Sequence, residues 1–128
     1  MEQKVESGIT IVATPFFLKM ERVRGQYRNV FQYHIEITNT NAFPVQLLRR
    51  QWKIADGFLE LSKVEGEGVI GEKPIISAGE TYVYTSFCPL IYPVGKMEGK
   101  YLFQRLDNEQ HFEAQVPTLF FNSDLNNN

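Results

Sequence analysis

From Phe31 to Thr38 apolar and polar residues alternate without a fault: Phe31, Tyr33, Ile35 and Ile37 share one face, and Gln32, His34, Glu36 and Thr38 the other. Side chains of an extended strand point to opposite faces with a period of two, so this stretch predicts a strand with one face in a core and one in water. Upstream, the β-branched run Ile9-Thr10-Ile11-Val12 opens a strand over Thr10 to Leu18, and Pro15, which lacks an N–H, suits an edge or a bulge there. Between the two strands, Arg24-Gly25 marks a turn. Val45 to Ile54 is a third strand whose phase changes: Val45 and Leu47 point one way, Leu48, Trp52 and Ile54 the other, which a bulge near Leu47-Leu48 reconciles.

Further along, Asp56-Gly57 signals a hairpin and Phe58 to Leu61 a short fourth strand. Glu65 to Lys73 reads as a glycine-rich loop, Pro74-Ile75-Ile76 as a short segment, and Thr81 to Phe87 as a strand after the Ala78-Gly79 turn. Gly99 to Leu106 and Phe112 to Val116 then pair across Asp107 to Gln110. No stretch repeats with a period of 3.6 between capping residues. The expected fold is an all-β antiparallel sandwich of about seven strands, with immunoglobulin-like or fibronectin type III-like character, in which Phe31, Tyr33, Trp52, Phe103 and Phe112 form core layers.

Composition supports one domain over residues 1–128, its core spanning about 7–120 and a flexible tail at 123–128. At 128 residues a chain buries roughly two-thirds of its unfolded surface, enough for a core without disulfides. Aromatic residues make up 13%, which suits pleated, half-buried strands. No apolar run approaches the ~20 residues of a membrane span. Thirteen Lys+Arg against fifteen Asp+Glu leave a net charge of -2, which argues against holding nucleic acid by bulk electrostatics. The basic group Lys19, Arg22, Arg24 and Arg28 reads first as a solvated hairpin tip. With one cysteine and no apolar leader behind Met1-Glu2-Gln3-Lys4, the expected setting is a reducing cytoplasm.

The candidate chemistry is sparse. Cys88, between Phe87 and Pro89, reads as a small buried hydrophobe, because an activated thiol needs a neighbouring base or cation. His34, His111 and the scattered acids make no metal-ligand spacing, and no G-x-S-x-G or phosphate-loop motif is present. No catalytic residue, metal site or cofactor is therefore expected. Gly66-Glu67-Gly68-Val69-Ile70-Gly71 does fit G-x-G-x-x-G, which elsewhere lets backbone amides approach a pyrophosphate at a helix N-terminus. Here Pro74 opposes a following helix, and Glu65, Glu67 and Glu72 against Lys63 and Lys73 leave Lys63 to Lys73 at -1. Arg50 falls in phase with Trp52 and Ile54, so its guanidinium needs a partner: a structural one inside the protein, or a bound anion or partner outside it.

Four ordered blocks carry a family resemblance: Val45 to Gly57 with its Arg50-Gln51-Trp52, Val64 to Pro74 with the three glycines, Tyr84-Thr85-Ser86-Phe87-Cys88-Pro89-Leu90, and Met97-Glu98-Gly99-Lys100-Tyr101. Together they resemble the bacterial ApaG family from about Ser7 to Phe120. The resemblance implies a single ApaG domain with a fibronectin type III-like sandwich. It also implies a family linked to cobalt tolerance and magnesium efflux, whose domain is attached to larger eukaryotic proteins as an interaction module. A protein partner is the leading expectation. The alternative is a pyrophosphate or nucleotide site, carried over onto Gly66, Gly68, Gly71, Arg50 and Trp52, with Lys73 beside them. Open sandwich edges add a homodimer to the expected partners. The chain departs from the family pattern at Arg49, Gln51 and Phe87, where Ser, a basic or aromatic residue, and Gly are expected, and the first and third changes bear on a recognition surface.

Overall fold

A computed structural model describes residues 2–58 and 60–124. Its strands are β1 (Glu2–Glu6), β2 (Ile9–Val23), β3 (Gln26–Asn39), β4 (Val45–Asp56), β5 (Glu60–Glu67), β6 (Ile75–Ile76), β7 (Thr81–Leu90), β8 (Val94–Arg105) and β9 (His111–Asn122). One sheet runs β1-β2-β3-β7 and the other β5-β4-β8-β9, with β6 pairing the start of β4. Every pairing is antiparallel. The architecture is the expected antiparallel β-sandwich, consistent with the fibronectin type III-like arrangement, but among the described residues nine strands replace the expected seven or so.

The added strands explain the difference. Glu2–Glu6 is exposed along most of its length and has no apolar face to betray it, yet its backbone pairs with β2 from Glu2↔Ala13 to Glu6↔Ile9. The connecting turn puts Ser7 and Gly8 at positive φ (53° and 72°), which matches the right-handed twist of a tight hairpin. The described β1 pairing reaches Ala13 of β2, and Pro15 lies beyond it, opposite Tyr33 of β3, a setting where a missing N–H is tolerated. β5 also runs further than expected: Glu65, Gly66 and Glu67 pair with Gln51, Arg50 and Arg49 instead of belonging to a loop. Leu59, part of the expected fourth strand, and the tail from residue 125 lie outside the described residues.

Alternation fills the core as expected. Phe31, Tyr33, Ile35 and Ile37 are buried from β3 and meet Leu47, Trp52, Tyr101 and Phe103 from the other sheet, with Phe112 packed against them. Phe31 stacks on Phe121 at 4.8 Å between ring centroids, and Trp52 meets Tyr33 and Tyr101 edge-on at 6.0 and 5.9 Å, so aromatic contacts tie one sheet to the other. The register slips between Leu47 and Arg49, which is the bulge that the phase change of β4 requires. A second slip, in the β8–β9 ladder, lies between Met97 and Gly99. Across the β4–β8 ladder Gly99 faces Trp52, and a Cβ there would stand 2.3 Å from the Gln51 carbonyl oxygen and 2.4 Å from the indole, so this position admits no side chain without displacing them.

Candidate functional site

The two long sides of the sandwich differ. On one, β1 and β2 close against β9: Lys4 Nζ donates to Gln115 Oε1 (2.7 Å), and the Gln115 amide donates to Glu6 Oε2 (3.1 Å). On the other, β5 and β7 are the outermost strands of their sheets, and a cleft of about 420 Å³ opens between them. Tyr33, Trp52 and Met97 lie at its base, Arg50, Ser62 and Val64 along one wall, and Ser86, Phe87 and Cys88 along the other. This mouth brings Arg50 and Trp52 together from one strand, as their alternation predicts.

The glycine motif lies at one end of that side, and its geometry is that of a hairpin. β5 runs straight into a tight turn in which the Val69 amide donates to the Glu72 carbonyl and the Glu72 amide to the Val69 carbonyl, both at 2.8 Å. Ile70 and Gly71 carry the positive φ values (41° and 79°) that such a turn requires. The Gly68 amide donates to the Leu48 carbonyl at 2.7 Å. Gly68 itself sits at φ 61°, and a Cβ on it would come within 1.9 Å of the Glu72 carbonyl oxygen, so glycine is needed here for space as well as for angle.

Arg50 completes this device. Its Nη1 donates to the carbonyls of Glu67 (3.0 Å) and Gly68 (2.9 Å), and its guanidinium lies so close over Gly66 that a Cβ there would be 2.8 Å from Nη2. The partner that its phase in β4 calls for is therefore backbone carbonyl oxygen, the structural alternative of the two set out from the sequence. Lys73 pairs with Glu67 at 3.3 Å across the same turn. Five of the six expected site residues, Gly66, Gly68, Arg50, Trp52 and Lys73, thus gather on the β4–β5 side of the mouth or on the turn beside it, while Gly71 sits at the turn's tip.

Reactive groups in the mouth are committed elsewhere. Burial pushes the Cys88 thiol up to about 12, with Asp56 adding to the rise, so it stays protonated at neutral pH. Asp56 accepts from the amides of Ile91 (2.9 Å) and Tyr92 (3.0 Å), which ties the β7–β8 connection to the end of β4. Below the mouth the hydroxyls of Tyr84 and Tyr101 hydrogen-bond to each other, and burial holds both, and Tyr33, above the ordinary tyrosine range. Among the described residues no three His, Cys, Asp or Glu side chains form a metal-binding group. No helix of the structure is long and apolar enough to cross a membrane.

Of the far wall, the sequence pointed to Phe87 as bearing on a recognition surface but gave Ser86 no role. Ser86 and Phe87 belong to β7, and the alternation of Tyr82, Tyr84 and Cys88 inward against Val83 and Phe87 outward was available to place them. A further cleft, about 460 Å³, lies where β8 and β9 part near Glu98 and Pro117-Thr118. Its lysines stand among acids and amides: Lys100 pairs with Glu113 at 3.1 Å, and Lys4 bonds Gln115.

The family model described as "ApaG domain" matches residues 19–105. A protein named "Protein ApaG" from Methylobacterium sp. (strain 4-46) is 44% identical over 110 residues, covering 86% of this chain and 84% of its own. One of the same name from Bordetella pertussis (strain Tohama I / ATCC BAA-589 / NCTC 13251) is 41% identical over 93 residues, covering 73% and 71%. Among solved structures, one titled as the putative ApaA protein from Bordetella pertussis superposes with a TM-score of 0.81 at 36% identity, covering 89% of this chain and 92% of its own. A structural-genomics target solved by X-ray crystallography superposes with a TM-score of 0.84 at 29% identity, covering 90% and 86%.

Proposed function

For a chain that belongs to the ApaG domain family, we propose the role of a non-catalytic binding module that recognises another protein through the mouth between β5 and β7. One observation carries the reading: two sheet edges that have no neighbouring strand among the described residues flank a cleft with an aromatic and aliphatic floor. A free edge offers unpaired backbone groups to an extended segment, and a cleft beside it offers side-chain pockets, which is how added strands gain affinity and specificity. The family link to cobalt tolerance and magnesium efflux then reflects a partner that this module engages, with no metal held by the module itself.

The small-anion alternative draws support from the contact of Arg50 with the glycine turn. It is the weaker reading, because the turn directs carbonyl oxygens at the guanidinium, and the amides of Gly68, Val69 and Glu72 already have acceptors within the protein. A phosphate cradle needs those amides free. The test uses the full chain as bait. Val64→Glu and Ser86→Glu, which put negative charge on the two walls, are expected to abolish capture of the partner that the unaltered chain retains. Undiminished capture by both variants overturns the mouth as the binding site. Amide shifts at Gly66, Gly68 and Gly71 on titration with pyrophosphate would instead favour the anion.

A further inference from the structure

Among the described residues the β2–β3 hairpin has no other strand beside it beyond Asn29: β1 pairs no further along β2 than Ala13 and β7 no further along β3 than Asn29, so Glu21 to Arg28 form a two-stranded ribbon that continues from Leu18 to Met20. The register slips between Phe17 and Lys19, which re-aims the arm relative to the sheet. At its root a cleft of about 390 Å³ has an apolar floor of Leu18, Val23, Val30, Phe87 and Pro89, with Lys19, Glu21 and Arg28 around it. Phe87 is 56% exposed, and Leu18 and Val23 are also open to solvent. Phe87 and Pro89 belong as well to the wall of the mouth, so the two surfaces are continuous.

Charge on the arm is one-sided. Lys19, Arg22, Arg24 and Arg28 stand against Glu21 alone, on a chain whose net charge is -2. None of the four basic residues is in an ion pair among the described residues. Arg24 even occupies a positive-φ turn position (52°), one that Asn, Asp or Gly would fill with less strain. On the face away from the cleft, Arg22 lies over the Tyr27 ring at 5.5 Å. That leaves Lys19 and Arg28 as the basic residues lining the apolar floor, beside Glu21, with Arg24 at the turn of the arm.

We propose that this arm and cleft bind an acidic, amphipathic segment of a partner protein, one that alternates Asp or Glu with Leu, Ile or Phe. The proposal rests on the binding-module reading and names the chemistry of the partner. Apolar side chains of such a segment cover Leu18, Val23 and Phe87, and its carboxylates face the unpaired cations. Nucleic acid fits less well, since its phosphates leave the apolar floor uncovered, and the one exposed ring of the ribbon already carries Arg22 on its face.

The experiment titrates the isotope-labelled full chain with a peptide of about eight residues alternating Glu and Leu, ~26 Å long when extended, with the Lys–Leu peptide as control. Expected are amide shifts over residues 18–30 and 86–90 with the acidic peptide alone. The combined variant Lys19→Ser, Arg24→Asn, Arg28→Ser should weaken binding about tenfold or more and flatten its salt dependence, whereas Arg22→Ser on the opposite face leaves both unchanged. Equal binding of the Lys–Leu peptide, stronger binding of an RNA duplex or of vesicles rich in anionic lipid, or no shift at millimolar acidic peptide overturns the proposal. Shifts confined to Arg50, Trp52 and Val64, with the combined variant binding normally, also overturn it while leaving the mouth as a binding site.

Discussion

The closed and open sides of this sandwich use the same kinds of residue for opposite ends. Where β1 and β2 meet β9, exposed polar side chains act as sutures: Glu6 accepts the Gln115 amide on the edge of β9, and Lys4 holds the Gln115 side chain. Where β5 and β7 face each other, the polar groups turn back into their own strands and connections. Arg50 serves the carbonyls of Glu67 and Gly68, and Asp56 the amides of Ile91 and Tyr92. A β-sandwich must do something about each edge, since unpaired strands invite association. Here one pair of edges is bridged and the other is left apart over an aromatic floor, and it is the second that suits recognition.

Truncating the floor of the open side should have the largest effect. Trp52 meets Tyr33 across the sheets and Tyr101 within its own sheet and is only 4% exposed, so Trp52→Ala is expected to cost about 3–5 kcal/mol in urea unfolding. A loss below that of a surface substitution would show that the mouth is not built on the core. Alkali probes the same layer next. Unfolded, the Cys88 thiol and the Tyr84 and Tyr101 hydroxyls ionise at about pH 9 and about pH 10, while burial keeps them protonated in the fold. The unfolded chain then holds fewer protons than the native one, so their contribution is whole below pH 9 and is lost as pH rises. Urea midpoints should fall steadily above pH 9, and less steeply in Tyr101→Phe.

Arg50→Met tests whether the open side is braced from within. It leaves two backbone carbonyls without their donor, and about 1–2 kcal/mol of lost stability is expected, together with faster amide exchange at Gly68, Val69 and Glu72. Exchange unchanged at those amides would mean that the hairpin stands without the arginine. The smallest effect belongs to the closed side. Glu6→Ala removes one exposed suture and should cost no more than about 1 kcal/mol, with exchange rising at Gln115 and nowhere in β5 or β7.

Much of this was legible in the residues. The unbroken alternation of Phe31 to Thr38 and the phase slip at Leu47-Leu48 identified a buried face and a bulge, since burial on one face leaves its mark on every second residue. The buried, unreactive reading of Cys88 followed from its neighbours in the same way. β1 was illegible because Glu-Gln-Lys-Val-Glu buries almost nothing; its backbone is held by pairing to β2 and its side chains by β9, some hundred residues away. The glycine motif was half legible. Its composition argued against a helix-borne phosphate cradle, but the turn from Val69 to Glu72 and its arginine brace depend on how β5 lies on β4.

By itself, then, the order of residues determined most of the strands, the faces they bury and the bulge at Leu47-Leu48, because these follow from local geometry and from the cost of exposing apolar surface. Only the tertiary structure decided which edges meet and which stay apart. Edge pairing is made by backbone N–H and C=O groups that every strand carries alike, so no residue pattern announces its neighbour. The mouth between β5 and β7, the brace of Arg50 and the bare basic ribbon follow from that arrangement.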